Sequence, residues 1–430
     1  MSAFQAPTGT RDVLAPESAR FAAVIAHFAD TVGRANYGLV VSPMFEDEAV
    51  FRRGAGEQTD LVTKEMYVFS DRGGRTLALR PEGTASIVRA FVQHHPLVPF
   101  KAWYCTPAFR YERPQAGRYR QHHQLGVEVL GVADADVDVE VIALYARFLA
   151  KVGLERVELK VNSMGDRECM PAYKATLAAY LGDHARELCD EHATSHANNP
   201  LRVLDCKKPE CRAVAAGAPR LSESLCEPCA SHFARVLEGL DALGLAWVRD
   251  ELLVRGFDYY TRTTFEFASH ALESAQNAIG GGGRYDGLVE LLGGPATPGV
   301  GFGAGIERIL LAAEAEGISR LDGAALDVFV VDITGGGAAR DLTDELRRAG
   351  ISADRAFDRR SLKSQFKQAD RSGARLACII GPDEEATNTV TVRGLRRPAG
   401  GEDVAATSSD EGQERIDRDR VVAAIAGRLA

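Results

Sequence analysis

Long apolar runs are absent from this sequence of 430 residues. No stretch of about 18 uncharged apolar residues occurs, so no membrane-spanning helix is expected. The charge-free stretch from Leu291 to Ile306 is broken by Gly293, Gly294, Pro295 and Pro298. The first residues, MSAFQAPTGTRD, hold neither a basic n-region nor an apolar h-region, so no secretory signal is expected and the predicted compartment is the cytosol. There the 8 cysteines are expected to be reduced thiols or metal ligands rather than a disulfide framework. Positive charge is in deficit, with 51 Lys and Arg against 60 Asp and Glu and a net charge of −9. Affinity for polyanions through bulk charge is thereby excluded, and any nucleic-acid surface must be a local patch. No G-K-[ST] occurs, so there is no P-loop, and an ATP site here must use arginines. Internal repeats, coiled-coil heptads and long low-complexity tracts are also missing.

Apolar residues make up 45% and charged residues 26%, an ordinary globular composition, and the length suggests about three domains. Phe21, Val24, Ile25, Phe28 and Val32 recur at helical spacing after Pro16 and predict a helix. Strands are predicted at Leu39 to Val41, Tyr67 to Phe69, Thr76 to Leu79, Ala102 to Cys105, Phe109 to Glu112 and Gln121 to Leu130. They follow one another with few helices between, which favours an antiparallel sheet. From about 134 to 250 the pattern is helical, with a Cys-, His-, Asn- and Pro-rich part around 192–229 that reads as an inserted subdomain, 170–240. Sheet-like sequence returns at 252–268, and a glycine-punctuated strand enters a helix at about 299–313. Residues 326–430 alternate short β-rich runs with helical stretches and predict a compact α/β domain, with a loop at 398–413.

The segment FRYERPQAGRYRQHHQLGVEVL, 109–130, holds four arginines against Glu112 between Arg110 and His123. In its second strand Gln124, Gly126 and Glu128 share one face, because side chains alternate with period 2. Gly126 then leaves a gap between two hydrogen-bonding groups, a slot for a small polar ligand with arginines beside it for phosphate. The plainer alternative is a half-exposed hairpin with a solvated polar face. RPEGTA, 80–85, sets Glu82 and Thr84 at a strand-to-helix turn, where Thr84 is a capping residue. LVRGFDYY, 253–260, sets Arg255 beside a glycine and two tyrosines. GVGFGAGIER, 299–308, carries Arg308 into the first turns of a helix, and its G-x-G-x-G spacing without βαβ context does not make a dinucleotide fold. His122 and His123 are adjacent in a strand, so they cannot chelate one metal from one face.

FRYERPQAGRYR and GVGFGAGIER resemble the second and third signatures of class II aminoacyl-tRNA synthetases, and RPEGTA, HHQLGVEVLG and LVRGFDYY resemble the histidyl-tRNA synthetases among them. Pro43 after YGLVV is similar to the first signature, which lies at a dimer interface, and SLKSQFKQADRSGAR, 361–375, resembles the C-terminal part of the same enzymes. The resemblance implies an α+β catalytic domain, 1–325, on a mixed, mainly antiparallel sheet, with the helical insertion and a C-terminal α/β anticodon-binding domain, 326–430. It implies a homodimer that joins L-histidine to ATP with magnesium and passes it to its tRNA. Arg110 and Arg255 would act at the α-phosphate, and Arg118 and Arg308 would hold the β- and γ-phosphates. Glu82, Thr84 and Gln124 would grip the amino and carboxylate groups, Glu128 with Tyr260 would read the two imidazole nitrogens, and Tyr259 and Tyr285 would close the pocket. Arg113 and Gln115 lie in the loop that would meet the acceptor end.

Two features stand beside the resemblance. Between Arg355 and Arg375 there are seven Lys or Arg and two Asp, and Lys363, Lys367 and Arg371 recur on one helix face, which in an acidic protein favours tRNA phosphates over a merely solvated face. Cys206, Cys211, Cys226 and Cys229 have the spacing of a tetrahedral structural zinc, with His232 as a spare ligand, unless they are unligated thiols. The rival reading is a non-charging paralogue similar to the accessory subunit of ATP phosphoribosyltransferase, expected to lack the C-terminal domain.

Overall fold

The computed structural model of the chain describes residues 4–56, 59–254, 259–272, 277–323, 326–358, 360–395 and 413–429. They form two compact units, 1–322 and 323–430. Among the described residues no helix is long and apolar enough to cross a membrane.

The first unit is built on an eight-stranded sheet in the order Gly38–Leu39, Phe100–Phe109, Gln121–Leu130, Gly299–Gly305, Ala278–Arg284, Thr261–Ser269, Val157–Ser163 and Val248–Arg249. Its central pairs are antiparallel and only the two short edge pairs are parallel. One face meets the helices Glu17–Gly33, Ala135–Val152, Glu227–Ala242 and Ile306–Ala315, where Phe28, Phe148, Val127 and Phe302 are buried together. Gln121–Leu130 and Thr76–Leu79 have the predicted bounds. The strand predicted at Ala102 to Cys105 extends over Phe100–Phe109, and of the one predicted at Phe109 to Glu112 only Phe109 belongs to a strand. Pro107 has no N–H to give, but its partner on one side is His123 and on the other its carbonyl accepts from Arg80 Nε at 2.7 Å, so the strand carries it as an edge position. Val157–Ser163 interrupts the stretch predicted as helical.

Between that strand and Val248–Arg249 lie the short helices of the insertion, with their own core around Tyr173, Leu177, Leu181 and Val203. The second unit is a five-stranded mixed sheet, Ala353–Arg355, Val328–Asp332, Leu376–Ile380, Thr389–Gly394 and Gln413–Asp417, packed with helices around Val330, Leu342 and Ile425.

Candidate active site

Alternation within Gln121–Leu130 sends Leu125, Val127 and Val129 into the main core and Gln124, Gly126 and Glu128 to the other face. There the chain leading into the helix Thr84–His94 crosses over the strand. Gly83 N donates to Gln124 Oε1 at 2.8 Å, and Thr84 Oγ1 donates to Glu128 Oε1 at 2.7 Å. Tyr104 OH donates to the same Glu128 oxygen at 3.2 Å, and the Tyr285 hydroxyl donates to Glu128 Oε2. The neighbouring strand Gly299–Gly305 has glycine at every position facing these groups. A Cβ at Gly301 would stand 2.0 Å from Glu128 Oε2, and one at Gly303 would stand 2.2 Å from Gln124 Nε2. The G-x-G-x-G pattern thus clears space for two polar side chains on the next strand.

Two expectations need correction here. The slot over Gly126 is filled, because a Cβ there would lie 2.3 Å from Tyr104 OH, and the antiparallel register sets Tyr104 directly opposite Gly126. The capping carboxylate at the helix start is Glu82, which accepts from Thr84 N at 2.5 Å and Ala85 N at 2.8 Å, while the Thr84 hydroxyl is turned to Glu128. Two tyrosines, Tyr104 and Tyr285, are thus bonded to Glu128. Tyr260 is half-buried beside Tyr259, with ring centroids 4.7 Å apart, and Tyr259 meets Tyr285 edge-on at 5.7 Å. Tyr104, absent from the sequence reading, is the residue that links the strand Phe100–Phe109 to the carboxylate.

Glu82 and Glu128 are both buried. Burial raises the pKa of each above the ordinary carboxylate value, and Glu128 is pushed up to about 8 against the opposing hydrogen bonds from Tyr285 and Thr84. The folded chain therefore keeps a proton on Glu128 that an unfolded chain releases near pH 4.5, so this group costs stability as pH rises from about 4.5 to 8. Relative to Glu128→Gln, the wild-type protein is expected to lose on the order of a few kcal/mol of stability between about pH 5 and 8. Urea midpoints of the two proteins across that range measure it, and a difference that stays flat contradicts the assignment.

Arginines flank this carboxyl cluster. Arg110 Nε donates to Pro81 O at 2.9 Å; its guanidinium opposes the burial that raises Glu82, and after burial it helps push His122 down to about 3. Arg308 Nε donates to Ala278 O at 2.6 Å. Burial first, and then the like charge of Arg118, lower the pKa of Arg308, while Glu266 and Glu112 act against that. Two guanidinium groups held within each other's field suit an anionic ligand. Arg118 sits in the turn after Gly117, at φ +71°, with its Nε 3.2 Å from Glu112. Arg113 and Gln115 are exposed in the same turn. Arg255 lies outside the described residues. His123 Nδ1 meets Glu307 at 2.9 Å, which ties the helix of Arg308 to the strand of Glu128.

The four cysteines read as one site are two separate groups. Cys206 and Cys211 lie with Cys189 and His192, whereas Cys226 and Cys229 lie with Asp166 and Cys169. The helix Glu227–Ala242 returns to the start of the insertion, which carries the second pair away from the first. His232 is no ligand to either, since its Nε2 is bonded to Asp138 in the core beside Arg284. In the second unit Lys363, Lys367 and Arg371 are exposed along the helix Leu362–Ser372, whose inner side buries Gln365 and Ala369.

A mainly antiparallel sheet with an arginine-bearing hairpin and a glycine strand running into an arginine-bearing helix is the catalytic domain of a class II aminoacyl-tRNA synthetase. A sequence model described as histidyl-tRNA synthetase matches residues 9–309, and one described as anticodon binding domain matches residues 327–428. A histidine–tRNA ligase of Moorella thermoacetica is 48% identical over 395 residues, covering 90% of this chain and 93% of that one. One from Mycobacterium bovis is 44% identical over 436 residues, covering 100% and 99%. The structure of apo histidyl-tRNA synthetase from S. aureus superposes with a TM-score of 0.79 at 33% identity, covering 98% of this chain and 100% of that one. The chain belongs to the histidyl-tRNA synthetase family.

Proposed function

We propose that this protein activates L-histidine with ATP to histidyl-adenylate and transfers it to the 3′ end of its cognate tRNA. The observation that carries this reading is the buried Glu128 carboxyl, held by Thr84, Tyr104 and Tyr285, with Arg110 bonded to Pro81 beside Glu82 at the start of the same helix. The carboxylate of histidine attacks the α-phosphorus of ATP, a P–O bond forms, and pyrophosphate leaves with the electron pair of the bond that breaks. Negative charge gathers on the phosphate oxygens, so Arg110, with Arg255 beside it by family resemblance, supplies the stabilisation. Arg118 and Arg308 hold the β- and γ-phosphates. Magnesium neutralises phosphate charge, and Glu112 and Glu266, the carboxylates whose field reaches Arg308, are the hard oxygen donors that would hold it.

Glu82, Thr84 and Gln124 orient the amino and carboxylate groups of the substrate. Imidazole offers one N–H and one lone pair, and Glu128 with Tyr260 matches both, under the lid of Tyr259 and Tyr285. Exposed apolar side chains at Leu39, Val41, Met44, Phe45, Val68 and Leu97 support a homodimer through that surface. The rival regulatory reading loses its ground because the anticodon-binding model covers the second unit. Charging of histidine tRNA with each labelled amino acid tests the function: only L-histidine is expected to appear as an ester, and charging with another amino acid, or none, contradicts it.

The exposed row Lys363, Lys367 and Arg371 contacts tRNA around the anticodon, together with Arg113 and Gln115 at the acceptor end. Lys367→Glu is expected to raise the KM for tRNA roughly tenfold, more at low salt, with amino-acid activation unchanged. A fall in adenylate formation in this variant overturns the assignment.

A further inference from the structure

Among the described residues, six of the eight cysteines fall into two groups of four potential ligands in and beside the insertion. In one, His192 Nδ1 stands 3.3 Å from Cys189 Sγ and 3.6 Å from Cys211 Sγ, with Cys206 completing the set. In the other, Asp166 Oδ1 stands 3.5 Å from Cys169 Sγ and 3.7 Å from Cys226 Sγ, with Cys229 completing it. Within each group all ligand atoms lie within 4.8 Å of one another. Zinc bonds of about 2.0–2.3 Å at tetrahedral angles need ligand-to-ligand edges of about 3.5–3.8 Å, close to these spacings. Each group is assembled from two short pairs, Cys189 with His192 and Cys206 with Cys211 in one, Asp166 with Cys169 and Cys226 with Cys229 in the other.

We propose that the insertion is held by two structural zinc ions, one on Cys189, His192, Cys206 and Cys211, the other on Asp166, Cys169, Cys226 and Cys229. Peptide N–H groups already face the sulfurs, from Cys189 to Cys211 Sγ at 3.3 Å and from Asp166 to Cys169 Sγ at 3.2 Å. Glu168 N donates to Asp166 Oδ1 at 3.0 Å and orients that carboxylate. All four positions of each ion are filled by protein, which makes the ions structural rather than catalytic.

The local fold gives the ions a purpose. The helices Asp190–Ser195, Leu201–Leu204 and Pro209–Ala216 have only 6, 4 and 8 residues, too short to persist without a tie. The first ion joins all three regions, and the second clips the start of the insertion to its last helix, Glu227–Ala242. Leu252 and Val254 pack on the same core, and Arg262, 3.7 Å from Asp166, follows the tyrosine pair. The two ions thus brace both flanks of the segment that carries Arg255, Tyr259 and Tyr260.

Full-length protein made with zinc present and purified under reducing conditions is expected to hold about two zinc ions per chain by elemental analysis. Cys206→Ser and Cys229→Ser should each lose one, and the double variant both. Protein loaded with cobalt in place of zinc should show thiolate charge-transfer bands and tetrahedral visible bands, a readout that needs no variant to fold. One zinc or fewer per chain after reconstitution contradicts the proposal, as does a single ion lost equally through either substitution, or a cobalt spectrum without thiolate bands.

Discussion

Glu128→Gln is expected to lower kcat/KM for L-histidine in pyrophosphate exchange by about two to three orders of magnitude while the KM for ATP changes little. Glu128 Oε1 accepts from Thr84 and Tyr104 and Oε2 from Tyr285, so both ends of the carboxyl face donors. Once histidine binding draws out the ionised carboxylate both oxygens accept, whereas an amide has one acceptor end only. Its NH₂ must confront either Tyr285 or the Thr84–Tyr104 pair, leaving buried donors without acceptors at about 1–3 kcal/mol each. Bound histidine brings an imidazole N–H to Glu128 and favours its ionised form, a charge that the amide cannot carry. Together these losses amount to about 3–4 kcal/mol, and each 1.36 kcal/mol is a factor of ten. A variant with wild-type kcat/KM for histidine removes Glu128 from recognition, and an equal rise in both substrates' KM values assigns it a general structural role instead.

Arg110→Ala is the second large effect, an expected fall of about 10³-fold in exchange kcat with a smaller change in histidine binding. The Nε bond to Pro81 O fixes the plane of the guanidinium and holds it beside Glu82, the residue that shapes the helix start. A preorganised donor to developing phosphate charge is worth about 3–4 kcal/mol. Arg110→Lys keeps the charge but loses the planar fork and the fixed anchor, so it should recover only a minor part of the rate. Wild-type exchange in either variant excludes a role at the α-phosphate.

The strand Gln121–Leu130 was legible because Leu125, Val127 and Val129 alternate with Gln124, Gly126 and Glu128, although residues 125–130 are all buried, since the start of the helix Thr84–His94 covers the second face. Its partner was not. Pro107 hid the continuity of Phe100–Phe109, and without that register nothing in the sequence sets Tyr104 over Gly126. The error at Thr84 has a similar origin, since both Thr84 and Glu82 have capping chemistry and only the neighbour Glu128, far along the chain, decides which one caps. Val157–Ser163 carries its own alternation, Val157, Leu159 and Val161, yet it is short and stands between two long helical patterns. Cysteine spacing gave the local pairs correctly but not their partners, because Asp166 and Cys169 meet Cys226 and Cys229 only after the insertion folds back. Glycine at 299, 301 and 303 was readable as close approach, and the groups approached are Tyr285, Glu128 and Gln124.

Pyrophosphate exchange without tRNA, measured for every standard amino acid, tests the central claim most directly. The site built on Glu128, Thr84 and Tyr285 with the arginine set predicts exchange stimulated by L-histidine alone. Exchange driven by a different amino acid, or none with histidine, contradicts it.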